Sequence, residues 1–116
     1  MRRFVHAFRG IGMAVRSEVN LWFHIAAGGF VFAAAFFLQL PRAEWCLLAL
    51  CVGFVIAAEL LNTAIEKVVD LVSPDFHELA RCAKDIAAGA VLVAAISSVI
   101  VGLLIFGPPL TERFGL

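Results

Sequence analysis

The sequence predicts an all-α membrane protein: an N-terminal amphipathic surface helix followed by three transmembrane helices. Three observations carry this. The chain is 63% apolar and 16% charged, where soluble domains average about 45–50% and about 25%, and its mean hydropathy is +1.01. Uncharged, mostly apolar runs occupy 21–40, 45–58 and 86–106. Ahead of the first run, apolar residues recur at helical spacing with arginines between them. At 116 residues the chain is expected to form one domain, 1–116. Nine basic residues balance nine acidic ones, so there is no basic footprint for nucleic acid.

Residues 2–17 open the chain. Phe4, Phe8, Ile11 and Val15 fall on one helical stripe, and Arg2, His6, Arg9 and Arg16 lie off it. Such a helix lies in the membrane interface with its arginines near anionic headgroups. A signal peptide is set aside, because everything downstream is also membrane-like.

The run from Leu21 to Leu40 has the roughly 20 residues needed to cross a core of about 30 Å. His24 and Gln39 are its strongly polar members, one near each end, and His24 reads as a hydrogen-bonded interfacial residue. Pro41, Arg42, Ala43 and Glu44 predict a tight turn. Trp45 starts the second run as an interfacial aromatic.

That run ends in an acidic stretch, 58–85, which holds six of the nine acidic residues. Glu59, Asn62, Glu66 and Asp70 share one helical face. Glu59 lies about 21 Å along the axis from Trp45, some two-thirds of the way across the core. Carboxylates that deep are expensive, and they mark a functional site rather than a solvated helix end.

Ser73, Pro74 and Asp75 break the helix, and 75–84 reads as a polar loop or short helix. The third run, Ile86 to Phe106, has no charge. Ala83, Ala87, Ala90, Ala94 and Ser97 mark a small-residue stripe for close packing along it. Gly107, Pro108 and Pro109 are expected to end the span, with a short tail after them. Cys46, Cys51 and Cys82 form no zinc-ligand spacing.

Orientation follows from the basic residues. Arg2, Arg3, Arg9, Arg16, Lys67, Arg81 and Lys84 fall on one side, and Arg42 and Arg113 on the other. The N-terminus and the 73–84 segment are therefore expected in the cytoplasm and the C-terminus outside. Three helices enclose too little volume to bury four polar side chains, which points to an oligomer.

Were the chain to transfer phosphoryl groups, it would do so without a standard nucleotide motif. There is no Walker A sequence and no kinase glycine loop. Phosphoryl transfer needs positioned reactants, Mg²⁺ on the phosphates, a cation and a group to orient the nucleophile. Carboxylates hold Mg²⁺, and Lys84 is a candidate cation for phosphate.

The pattern E-x-x-N-x-x-x-E-x-x-x-D at 59–70, then S-P-D-F-H-E-L-A and A-K-D up to Asp85, resembles the small prokaryotic diacylglycerol kinase and undecaprenol kinase family. The resemblance implies an ATP-dependent lipid kinase of the bacterial inner membrane, with Mg²⁺ as cofactor and ATP as co-substrate. It also implies a homotrimer with sites between subunits, acting on a lipid within the bilayer. By that resemblance Glu59 is the general base, and Glu66 and Glu18 hold Mg–ATP. Asp75, Phe76, His77, Lys84 and Asp85 form the nucleotide-contacting segment. Asn62 and Asp70 support the site. E-V-N-L-W-F-H at 18–24 is similar to the E-x-N-x-R-x-H of Gram-positive undecaprenol kinases, with Trp22 in the arginine position. H-E-L-A at 77–80 is closer to diacylglycerol kinases. The competing readings are a small proton-coupled transporter using Glu59 and a non-catalytic assembly subunit. A transporter would place its key carboxylate near the midplane, with polar residues on several spans.

Overall fold

The computed structural model describes residues 2–115. It is entirely helical, with α1 (Arg2–Ser17), α2 (Val19–Phe37), α3 (Arg42–Val72) and α4 (Glu78–Phe114). The last three are long and apolar enough to cross a membrane. At about 1.5 Å per residue, α3 and α4 run to roughly 46 and 55 Å. Both exceed a hydrocarbon core of about 30 Å, so their polar ends project beyond it.

Glu18 separates α1 from α2. Its extended backbone (φ −120°, ψ 112°) breaks the helix, and its side chain makes no capping hydrogen bond. The carboxylate is thus left for other work. Ala14 is the buried residue of α1. With Ala7, Gly10 and Ile11 it faces Leu60, Thr63 and Ala64 of α3 across a shallow crevice. Phe4 and Phe8 are exposed.

The turn between α2 and α3 is Leu38–Leu40, ahead of the predicted Pro41–Glu44. Pro41 is the N-cap of α3 and Arg42 its first residue. The cause is local. A proline suits the start of a helix, where its missing N–H costs nothing, and Gln39 makes the reversal with a left-handed φ of 52°.

The packed core lies at this end. Ala35, Leu48 and Ile105 are buried together, flanked by Val31, Phe32, Leu40, Trp45, Val101 and Phe106. Trp45 stacks on Phe32 at 5.7 Å between ring centroids, so much of its surface meets protein.

Two further boundaries differ from expectation. α4 begins at Glu78 and runs unbroken through the polar segment into the third span. It also continues past Pro108 and Pro109 to Phe114. The prolines remove two backbone donors, but their fixed φ is helical. The Thr111 hydroxyl donates to the Gly107 carbonyl at 2.8 Å, and the Arg113 guanidinium lies 4.6 Å over the Phe37 ring of α2. Those contacts tie the last turns down. The helix stops at Gly115, in the left-handed conformation (φ 67°), where glycine is favoured.

The small-residue stripe of α4 is partly used. Ala87 and Ala94 are buried, Ala83 is half-buried, and Ala90 and Ser97 are exposed. Ser98, the next residue, donates to the Cys51 carbonyl of α3 at 3.4 Å.

Candidate active site

The polar face of α3 is built as its spacing predicts. Glu59 on α3 is buried, with its side chain 8% exposed. One turn on, the Asn62 amide donates to Glu66 Oε1 at 3.2 Å. One further turn on, Asp70 accepts from Lys84 Nζ at 2.6 Å. That bond crosses from α3 to α4 and closes the polar end of the bundle.

Glu59 has a partner that sequence reasoning missed. His24 Nε2 on α2 lies 3.1 Å from Glu59 Oε1. A buried carboxylate needs such a partner, because an unpaired one costs several kcal/mol or shifts to its neutral form. The sequence did carry a signal: His24 is a polar residue inside an apolar run, near the end where Glu59 emerges. The pairing itself depends on helix packing. Gly28, one turn further along α2, is buried against Val52 of α3, where an added Cβ would stand 2.8 Å from Val52 Cγ1. The close approach at Gly28 lets the two helices hold His24 and Glu59 within hydrogen-bond distance.

The segment between α3 and α4 forms a cavity of about 190 Å³ lined by Asp70, Asp75, Phe76, His77, Arg81 and Lys84. Four of the five predicted nucleotide-contacting residues are among these. The fifth, Asp85, is exposed and does not line it. Arg81 does, although sequence reasoning counted it only as a charge; it follows Lys84's face one turn earlier and pairs with Glu78 at 3.0 Å. Ser73 Oγ donates to the Asp75 carbonyl at 3.0 Å, which tightens the loop. His77 Nδ1 accepts from the Leu79 N–H at 3.1 Å and caps α4, leaving Nε2 for another partner. A helix N-terminus favours negative charge, and the two cations beside it are each paired with a carboxylate, Lys84 with Asp70 and Arg81 with Glu78.

Glu18 is half-buried. No group of three or more His, Cys, Asp or Glu is gathered as a metal site among the described residues. Mg²⁺ asks for less: one or two carboxylates, with water and phosphate oxygens completing the shell. Asn62 Oδ1 is buried without a hydrogen-bond partner, on the same side chain that holds Glu66. A carboxylate and an amide oxygen are donors of the kind a hard cation takes, so the residue types on this face suit the ion.

A helical protein with three helices long and apolar enough to cross a membrane, a buried carboxylate and a loop-closed cavity lined by both carboxylates and cations toward one end of its bundle is the class these elements define. The chain belongs to the prokaryotic diacylglycerol kinase family, whose sequence model matches residues 5–106. It is 50% identical over 94% of its length to the undecaprenol kinase of Bacillus subtilis (strain 168), covering 89% of that protein. It is 47% identical over 92% of its length to the diacylglycerol kinase of Synechocystis sp., of which it spans 62%. To the diacylglycerol kinase of Escherichia coli (strain K12) it is 44% identical over 81% of its length, covering 66% of that protein. This is a family of membrane lipid kinases, and membership leaves the transporter reading without support.

Proposed function

We propose that the 116 residues form one lipid kinase domain, which transfers the γ-phosphoryl group of ATP to the hydroxyl of a membrane lipid alcohol. Diacylglycerol and undecaprenol are the two acceptor candidates, taken from the names of the relatives. The observation that carries the proposal is a single buried carboxylate, Glu59, on the same helix face as the Asn62–Glu66 and Asp70–Lys84 pairs.

The residues divide by depth. Glu59 is the deepest and meets the lipid hydroxyl from within the bilayer. It takes the hydroxyl proton as the lipid oxygen bonds to the γ-phosphorus and the bond to the β–γ bridging oxygen breaks, releasing ADP. Glu66 and Glu18 hold Mg²⁺, with Asn62 supporting Glu66. Bound there, the ion neutralises charge on the phosphate oxygens. Lys84, positioned by Asp70, sets a point charge against the nucleotide phosphates. Asp75, Phe76 and His77 form the nucleotide-contacting loop, and Asp85 belongs to the same segment by its place in the motif.

The wider arrangement is also part of this proposal. α1 lies in the membrane interface, with Phe4 and Phe8 toward lipid. The protein resides in the bacterial inner membrane, N-terminus inside and C-terminus outside, as a homotrimer with sites between subunits. The test is direct: purified protein with Mg–ATP and each lipid alcohol in mixed micelles, with products identified by mass. A phosphorylated lipid matched by ADP release is expected, and its identity names the acceptor. ATP turnover that no lipid alcohol stimulates would refute the proposal.

A further inference from the structure

Glu59 alone does not determine where its own oxygens point. A glutamate side chain has three rotatable bonds, and burial among apolar helices supplies no direction. Among the described residues, the polar side chain that contacts Glu59 is His24, with Nε2 3.1 Å from Oε1. Its ring is itself constrained. It packs edge-on to Phe23 at 5.8 Å, and it forms part of the wall of an apolar cavity of about 360 Å³ with Phe23, Gly28, Val52 and Val55. The imidazole therefore stands between that cavity and the carboxylate, and its side chain is only 21% exposed.

We propose that His24 is a positioning residue for Glu59: its Nε2–H holds one carboxylate oxygen, which turns the other toward the lipid hydroxyl. This rests on Glu59 being the general base. The effect belongs to geometry rather than to binding, because His24 is absent from the cavity that Asp75, Phe76, His77 and Lys84 line. Removing it should leave nucleotide affinity alone and lower turnover, since misplacing a reacting group by about 1 Å costs on the order of 10²-fold.

The experiment is a double-mutant cycle on the full-length protein in mixed micelles. It combines His24→Ala with Glu59→Gln and adds His24→Gln and His24→Asn as variants of graded reach. His24→Ala is expected to lower kcat by about 10²-fold with an unchanged KM for ATP. His24→Gln, whose amide nitrogen extends about as far as Nε2, should restore most of the turnover, and the shorter Asn should not. In the Glu59→Gln background, His24→Ala should cost nothing more, because the group it positions is no longer a base. Losses that add in the cycle, or a Gln variant as impaired as the Ala variant, overturn the positioning role. Near-normal turnover in Glu59→Gln alone instead overturns the base assignment, and the inference with it. An unchanged stoichiometry of ATP bound per chain in each variant separates these results from a failure to fold.

Discussion

At the scale of single residues, two kinds of carboxylate share one helix face. Glu59 is buried and paired to an imidazole, whereas Asp70 is exposed and paired to a lysine. The two should respond differently to loss of charge from those proposed to hold metal. Glu59→Gln keeps shape but removes the proposed base, and general-base help is worth about 10²–10⁴-fold. A fall of that order in lipid phosphorylation is expected, with ATP affinity kept; lost ATP binding in an intact protein would move Glu59 to the metal shell. Glu66→Gln and Glu18→Gln should instead raise the Mg²⁺ concentration needed for half-maximal rate, because a neutral amide is a weaker ligand for a hard cation. A metal titration measures this, and an unshifted midpoint in either variant removes that residue from the shell. The face itself was legible in the sequence, because the spacing of Glu59, Asn62, Glu66 and Asp70 is fixed by the helix alone. His24 and Arg81 were not assigned as site residues. Their roles depend on which helix lies beside which, and a single sequence does not state that.

At the scale of elements, the contact between α2 and α3 decides whether His24 reaches Glu59. Gly28 is the close point of that contact, and Val52 is its stiff neighbour. A β-branched side chain on a helix has one strongly preferred χ1, so Val52 cannot readily swing away from an added methyl group. Helix propensity favours alanine over glycine by about 1 kcal/mol, yet overpacking costs roughly 1–3 kcal/mol. Gly28→Ala is therefore expected to lower the thermal midpoint in detergent and to reduce turnover. Val52→Ala in the same chain should recover both by making room. Failure of that rescue would mean that the contact does not set the helix separation. The span count was legible in the sequence because apolar runs of membrane length leave few choices. The boundaries were less so. Pro41 and the Pro108–Pro109 pair both read as breaks, but a proline is compatible with a helix start, and the contact of Arg113 with Phe37 of α2 helps carry α4 past Pro108 and Pro109.

At the scale of the whole molecule, the chain measures 56 × 37 × 21 Å. The smallest dimension is about two helix diameters, too thin to wrap a polar site on every side, which is the physical case for the proposed trimer. The long dimension matches α4, and it separates two differently charged ends. Arg42 begins α3 beside the turn from α2, and Arg113 sits against Phe37 at that same end. Lys67, Arg81 and Lys84 lie at the other end, with the cavity between α3 and α4. The positive-inside rule turns this separation into an orientation. Cys82 is exposed beside Arg81, so the native chain already carries a reporter for the basic end. With Cys46 and Cys51 replaced, a membrane-impermeant maleimide should label Cys82 only after intact cells are permeabilised. In a cysteine-free chain carrying Arg113→Cys, the same reagent should label without permeabilisation. The opposite pattern would put the proposed nucleotide-contacting loop outside, where cellular ATP does not reach it. Labelling of both positions in intact cells would mean that the two ends share the outer side, and that α4 does not cross the membrane.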